Sequence, residues 1–143
     1  MNKGWMLVKP KFQESYETNR LIEEFQKQDI DIQLVDPTTI DIFVNKENKQ
    51  SILVNGESLP LPKFVFPRTG SGTTYHIKAV IRHFERMGVL VINSSDAIDN
   101  VKDKLYSHQI LAQSNLDIPK TMLLKHPIDV NFVEKNLGFP VIV

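Results

Sequence analysis

Arg68 lies in Pro67-Arg68-Thr69-Gly70-Ser71-Gly72, directly after the apolar run Phe64-Val65-Phe66. An arginine that follows a buried strand can grip a carboxylate through two parallel hydrogen bonds. Ligands of open α/β sheets bind beyond the carboxyl ends of the strands. Arg68 therefore reads either as a carboxylate-binding residue or as half of a structural ion pair. Thr69, Gly70, Ser71 and Gly72 offer hydroxyl or backbone donors there, or serve only to turn the chain. These glycines are not followed by Gly-Lys-Ser/Thr, so the loop is not a phosphate loop. Lys104, in Asp103-Lys104-Leu105, carries an ammonium that can offset phosphate charge as a point cation. The same lysine can equally be a solvated residue of an amphipathic helix, with Asp103 a surface or orienting carboxylate. Asn93 ends the run Val89-Leu90-Val91-Ile92 and either caps the next helix or touches a ligand.

No catalytic side chain stands out. Tyr106 and Ser107 belong to no triad or nucleophile elbow. His76, His83, His108 and His126 form no i, i+4 pair and have no acid at zinc spacing, so no metal site is expected. They read as ordinary polar positions, His83 at the edge of a helix.

The elements that must position these residues follow from apolar spacing. Trp5-Met6-Leu7-Val8 reads as a strand buried on both faces. Leu21, Ile22 and Phe25 mark a helix, and Ile30 to Val35 a second strand, which makes a βαβ unit. Ile40 to Val44 and Ser51 to Val54 flank the polar loop Asn45 to Gln50 and read as small antiparallel strands, with a turn at Asn55-Gly56. Phe64 to Phe66 is another buried strand. Ile77, Val80, Ile81, Phe84 and Met87 fall on one helical face, and Gly88 occupies the position of a C-terminal cap. Val89 to Ile92 is a further strand. The expected fold class is α/β: an open, mainly parallel sheet with helices on both faces and an inserted β hairpin. This domain spans residues 1–93. In residues 94–143, Ser94 or Ser95 caps a helix through Val101, Leu105 and Leu111 that ends near Asn115. Ile118 to Leu124 suggests a strand, Val130, Val133 and Leu137 a helix stopped by Gly138, and Val141 to Val143 a last strand.

Composition narrows the class. Of 143 residues, 41% are hydrophobic and 24% charged, which suits a globular chain. The formal charge is +0, from 17 basic and 17 acidic residues, so no nucleic-acid partner is expected. The absence of cysteine excludes disulfides, thiolate metal sites and a cysteine nucleophile. The apolar run near the start is too short for a signal peptide or a membrane span. A cytoplasmic protein without a membrane partner is expected.

The segment INSSDAIDNVKDKLYSHQILAQSNLDIPKT, followed later by GFPVIV, resembles the entry to an ATP-grasp domain. Upstream, FPRTGSGTTYHIKAVIRHFERMGVLVIN joins Pro-Arg, glycine, and a helix ending in Glu-x-x-Gly before an asparagine-terminated strand. Together they resemble the RimK-like glutamate ligase family, over nearly the whole chain. The resemblance implies a pre-ATP-grasp domain followed by the first part of an ATP-grasp domain. It implies an ATP-dependent carboxylate–amine ligase acting through an acyl phosphate, with magnesium as the second cofactor. Lys104 would hold ATP, while Arg68, Thr69, Gly70 and Asn93 would serve the substrate. The partners would be ATP, an amino acid such as glutamate, and a carboxylate acceptor. In that family GFPVIV is followed at once by a nucleotide-gripping lysine, and the glycine-rich loop and metal ligands come later. The chain is therefore expected to be the front part of a ligase, inactive by itself. A homo-oligomer stays open, and the apolar last strand, Val141 to Val143, can pair with another chain in non-native association. The alternative is a non-catalytic α/β binding or regulatory module.

Overall fold

A computed structural model describes residues 2–46 and 51–143. Four strands form a parallel sheet in the order β2-β1-β6-β7: β1 (Asn2–Leu7), β2 (Ile30–Val35), β6 (Phe64–Pro67) and β7 (Leu90–Val91). Every pairing in this sheet is parallel, with Trp5 opposite Gln33 on one side and Val65 on the other. β1 is central, which explains its continuous apolar run: both faces are covered, and Trp5 through Val8 are buried.

Between β1 and β2 run a short helix, α1 (Pro10–Gln13), and the longer α2 (Tyr16–Lys27). Ser15 caps α2, its hydroxyl accepting from the Thr18 amide at 3.3 Å. α2 covers one sheet face, where Phe25 meets Phe64 and Phe66 at ring distances of 5.9 and 6.0 Å. Between β6 and β7 runs α3 (Tyr75–Arg86), capped by Thr74 and closed by Gly88 at φ 76°. α3 covers the other face, where Phe84 meets Trp5 edge-on at 5.8 Å. Phe64 and Phe66 alternate with Val65 along β6, so one short strand serves both helices. Right-handed crossovers that leave the sheet centre in opposite directions place their helices on opposite faces.

An antiparallel sheet in the order β3-β4-β5 joins Ile40–Ile42, Ile52–Val54 and Glu57–Ser58. Its Ile40, Ile52 and Val54 complete the α3-side core. The expected fold class is therefore observed, hairpin included. Residues 47–50 of the expected polar loop lie outside the described residues.

His83 departs from expectation. It is not at the helix edge but 4% exposed, with Nε2 2.8 Å from the Ser51 hydroxyl. That hydroxyl also bonds Met87 Sδ at 3.2 Å. The ring fastens α3 to the start of β4, a contact across the fold that helical spacing does not reveal.

The chain divides into two compact units, Met1–Ile98 and Asp99–Val143. α4 (Ser95–Lys102) begins in the first; α5 (Lys104–Gln113) and α6 (Val130–Leu137) belong to the second. The single helix expected through Leu111 is broken at Asp103. Its carboxylate accepts from the Tyr106 amide at 2.9 Å and so starts a new helix. Ser107 secures the corner by donating to the Asn100 carbonyl at 2.6 Å. Asp103→Ala is expected to remove about 1 kcal/mol from α5 and to speed amide exchange at Tyr106 about fivefold. Unchanged exchange there would refute the cap. Neither Ile118–Leu124 nor Val141–Val143 forms a strand among the described residues. Apolar, β-prone residues become a strand only when a neighbour takes their backbone hydrogen bonds, and no such neighbour is described. No helix among the described residues is long and apolar enough to cross a membrane.

Candidate functional site

β1 and β6 lie side by side, yet the chain leaves β1 toward β2 and β6 toward β7. The two following loops diverge, and a crevice opens between them at the carboxyl edge of the sheet. A cleft of about 300 Å³ occupies this place. Val8, Phe12, Ser15, Glu17 and Thr18 line it from the β1 side, and Arg68, Thr69 and Gly70 from the β6 side.

Hydrogen bonds hold both walls. The Arg68 amide donates to the Leu7 carbonyl at 2.9 Å, continuing the β1–β6 pairing. Thr18 Oγ1 donates to the Phe12 carbonyl at 2.8 Å and pins the loop to α2. Lys9 Nζ reaches across to the Gly72 carbonyl at 2.8 Å. A Cβ on Gly72 would stand 2.6 Å from that Nζ, a contact the end of the flexible lysine side chain would have to shift to relieve. Gly70 adopts φ 60°, a left-handed conformation that glycine takes without strain.

The electrostatics are mixed. Ser15 caps α2, and Glu17 and Thr18 belong to its first turn, so its positive dipole end borders the cleft. The Glu17 carboxyl is held below its ordinary pKa, first by its own backbone amide, then by the Ser15 hydroxyl, with the Arg68 charge adding. The Arg68 side chain is exposed, and its guanidinium makes no hydrogen bond or ion pair among the described residues. Arg20, one turn along α2, behaves differently: it is bonded to Glu23 and, at 2.6 Å, to Glu24. A second depression runs outside the start of α2, past Tyr16, Leu21 and Phe66, and shares Glu17 and Arg68 with the first.

Of the residues singled out in the sequence, Arg68, Thr69 and Gly70 come together in this cleft. The Thr69 hydroxyl is turned inward, 2.6 Å from Thr73 Oγ1, which itself donates to the Gly70 carbonyl at 2.7 Å. Thr69 thus stiffens the loop that carries Arg68. Asn93 lies just past β7 on the same sheet edge, exposed and outside the cleft wall. Ser94, not Asn93, caps the following helix, accepting from the Ala97 amide at 3.1 Å. Lys104 opens α5 in the second unit, exposed, with no hydrogen bond or ion pair from its ammonium among the described residues. Sequence reasoning passed over Glu17, Ser15 and Lys9. The signal was present: a serine cap with an acid two residues later, in the loop after the first central strand.

Comparison with known proteins now bears on this geometry. Residues 7–98 match the family model of the RimK PreATP-grasp domain. The chain is 33% identical over 131 residues to a probable alpha-L-glutamate ligase 1 of Shewanella amazonensis, covering 91% of this chain and 43% of the relative. It is 34% identical over 129 residues to a probable alpha-L-glutamate ligase of Marinomonas sp., covering 90% and 42%. A third relative, probable alpha-L-glutamate ligase 1 of Shewanella frigidimarina, is 39% identical over 115 residues, covering 80% and 38%. The chain thus spans about two fifths of the length of these relatives. A doubly wound sheet with its crevice beside Arg68, joined to this match, establishes that the chain belongs to the RimK-like family, whose pre-ATP-grasp domain it carries at residues 7–98.

Proposed function

We propose that the chain supplies the N-terminal part of an ATP-dependent carboxylate–amine ligase that joins a glutamate-like amino acid to a peptide, protein or small-molecule carboxylate. In this reading the pre-ATP-grasp unit ends near Asn93, and residues 94–143 begin the ATP-grasp domain. The observation that carries it is the Arg68 guanidinium, without an ion-pair partner among the described residues, at the switch-point cleft of a RimK-like domain. Relatives named as glutamate ligases support the amino-acid class.

Arg68 holds a substrate carboxylate, its fork accommodating both oxygens. The stiffened Thr69–Thr73 loop keeps the fork aimed. ATP, when bound, would supply the phosphoryl group that activates the acceptor's carboxylate, a different group from the one on Arg68, as an acyl phosphate. Lys104 fits a role on ATP: its exposed ammonium, without a hydrogen-bond or ion-pair partner among the described residues, stands at the positive end of a helix, where phosphate charge is favoured. Among the described residues no group of three or more His, Asp or Glu side chains could hold magnesium, so no metal ligand is assigned.

The test uses protein expressed from the complete reading frame containing this sequence, with ATP, magnesium and an amino-acid panel. ADP release is expected only with a cognate amino acid, and Arg68→Ala is expected to lower kcat/KM about a hundredfold. The 143-residue chain alone is expected to release no ADP above a blank. Absence of turnover with every amino acid tried would favour the binding-module alternative.

A further inference from the structure

Glu17 and Arg68 line the same two depressions from opposite walls, yet no direct ion pair joins them. If Arg68 served only to neutralise Glu17, a short bond like that of Arg20 with Glu24, 2.6 Å on the same helix, would be expected. Glu17 does not need that partner. Its carboxylate is already stabilised by its own amide, the Ser15 hydroxyl and the start of α2. Two opposite charges thus line one cleft, close enough to feel each other but not joined in an ion pair.

Charge balance decides what fits between them. A multiply charged anion such as phosphate meets Arg68 but is repelled by Glu17. A simple cation meets Glu17 but is repelled by Arg68 and by the helix dipole. A molecule carrying both signs on neighbouring atoms satisfies both walls. The volume, about 300 Å³, is that of a small-ligand site and cannot enclose a folded partner. Phe12, 47% exposed, gives one wall an apolar surface against which a short aliphatic chain can lie.

We infer that this cleft binds a free α-amino acid as its zwitterion, the carboxylate on Arg68 and the ammonium on Glu17. This deepens the proposed function, on which the identity of the ligand as a ligation substrate rests; the binding itself does not depend on turnover. Glu17 then discriminates: it separates a free amino acid from an N-acylated one, which keeps the carboxylate but loses the ammonium. It also disfavours free phosphate at Arg68.

The experiment is calorimetric titration of the full chain with L-glutamate, N-acetyl-L-glutamate and inorganic phosphate, without ATP. L-Glutamate is expected to bind about tenfold or more tightly than its N-acetyl form, as loss of one charge-assisted contact implies. Glu17→Gln, isosteric and at an exposed position, is expected to abolish that preference, and Arg68→Gln to weaken both ligands. Equal wild-type affinity for free and N-acetyl glutamate would overturn the proposal, as would phosphate displacing glutamate one for one. Failure of ligation with retained zwitterion binding would count against the ligase reading alone.

Discussion

Phe84→Ala is expected to lose about 3–5 kcal/mol of stability, the largest single effect predicted for this chain. Phe84 is 0% exposed and Trp5 2% exposed, and their rings meet edge-on with planes at 85°. Truncating Phe84 removes the ring's burial and its aromatic contact, and it leaves a cavity between α3 and the central strand. That strand is bonded to neighbours on both sides, so it cannot move in to fill the space. A domain of this size holds roughly 5–15 kcal/mol in total, so the variant approaches the unfolding threshold. Trp5 is the only tryptophan, so its emission reports directly on this contact during urea unfolding. With a urea dependence of about 1–3 kcal/mol per molar, the midpoint should fall by more than roughly 1 M. A shift of a few tenths molar would mean that the α3 face contributes little to the core.

The second large effect is acid sensitivity centred on His83. Burial lowers the pKa of the ring below its ordinary value, and the Arg86 charge lowers it further. The unfolded chain therefore takes up this proton first as pH falls. Stability is full above about pH 6.5, the ordinary histidine value, and declines as pH drops from there toward the lower folded value. Glu17 and Glu24, whose carboxyl pKa values are depressed, do not titrate in that window. His83→Gln is expected to flatten the decline between pH 7 and 5.5 in urea melts followed by Trp5 emission. At pH 7.5, His83→Ala should also cost about 1–3 kcal/mol, since the ring bonds a hydroxyl only 1% exposed. Equal acid sensitivity in the wild type and the glutamine variant would remove His83 as the cause.

The sequence by itself determined the order of strands and helices in the first unit, because burial leaves a local imprint. A central strand covered on both faces must be apolar throughout, as Trp5 to Val8 are, and α3 must repeat its apolar residues every three or four positions. Gly88 and Gly138 were legible as helix ends because their positive φ favours glycine. The Pro67-Arg68 pair and the segment around Lys104 carried enough specific residues to reveal the family.

What only the tertiary structure decided depends on residues distant in the chain. Glu17 faces Arg68 because β1 and β6 pair in parallel and their chains then part; no spacing rule encodes that meeting. The inward turn of His83 depends on Ser51 arriving from β4, and the break at Asp103 on a carboxylate choosing to cap rather than continue a helix. Residues 118–124 and 141–143 carry strand-forming side chains without forming strands, because propensity is local and a ladder is not. Periodicity records which faces are buried, whereas a binding site is made by the surfaces that folding brings opposite one another.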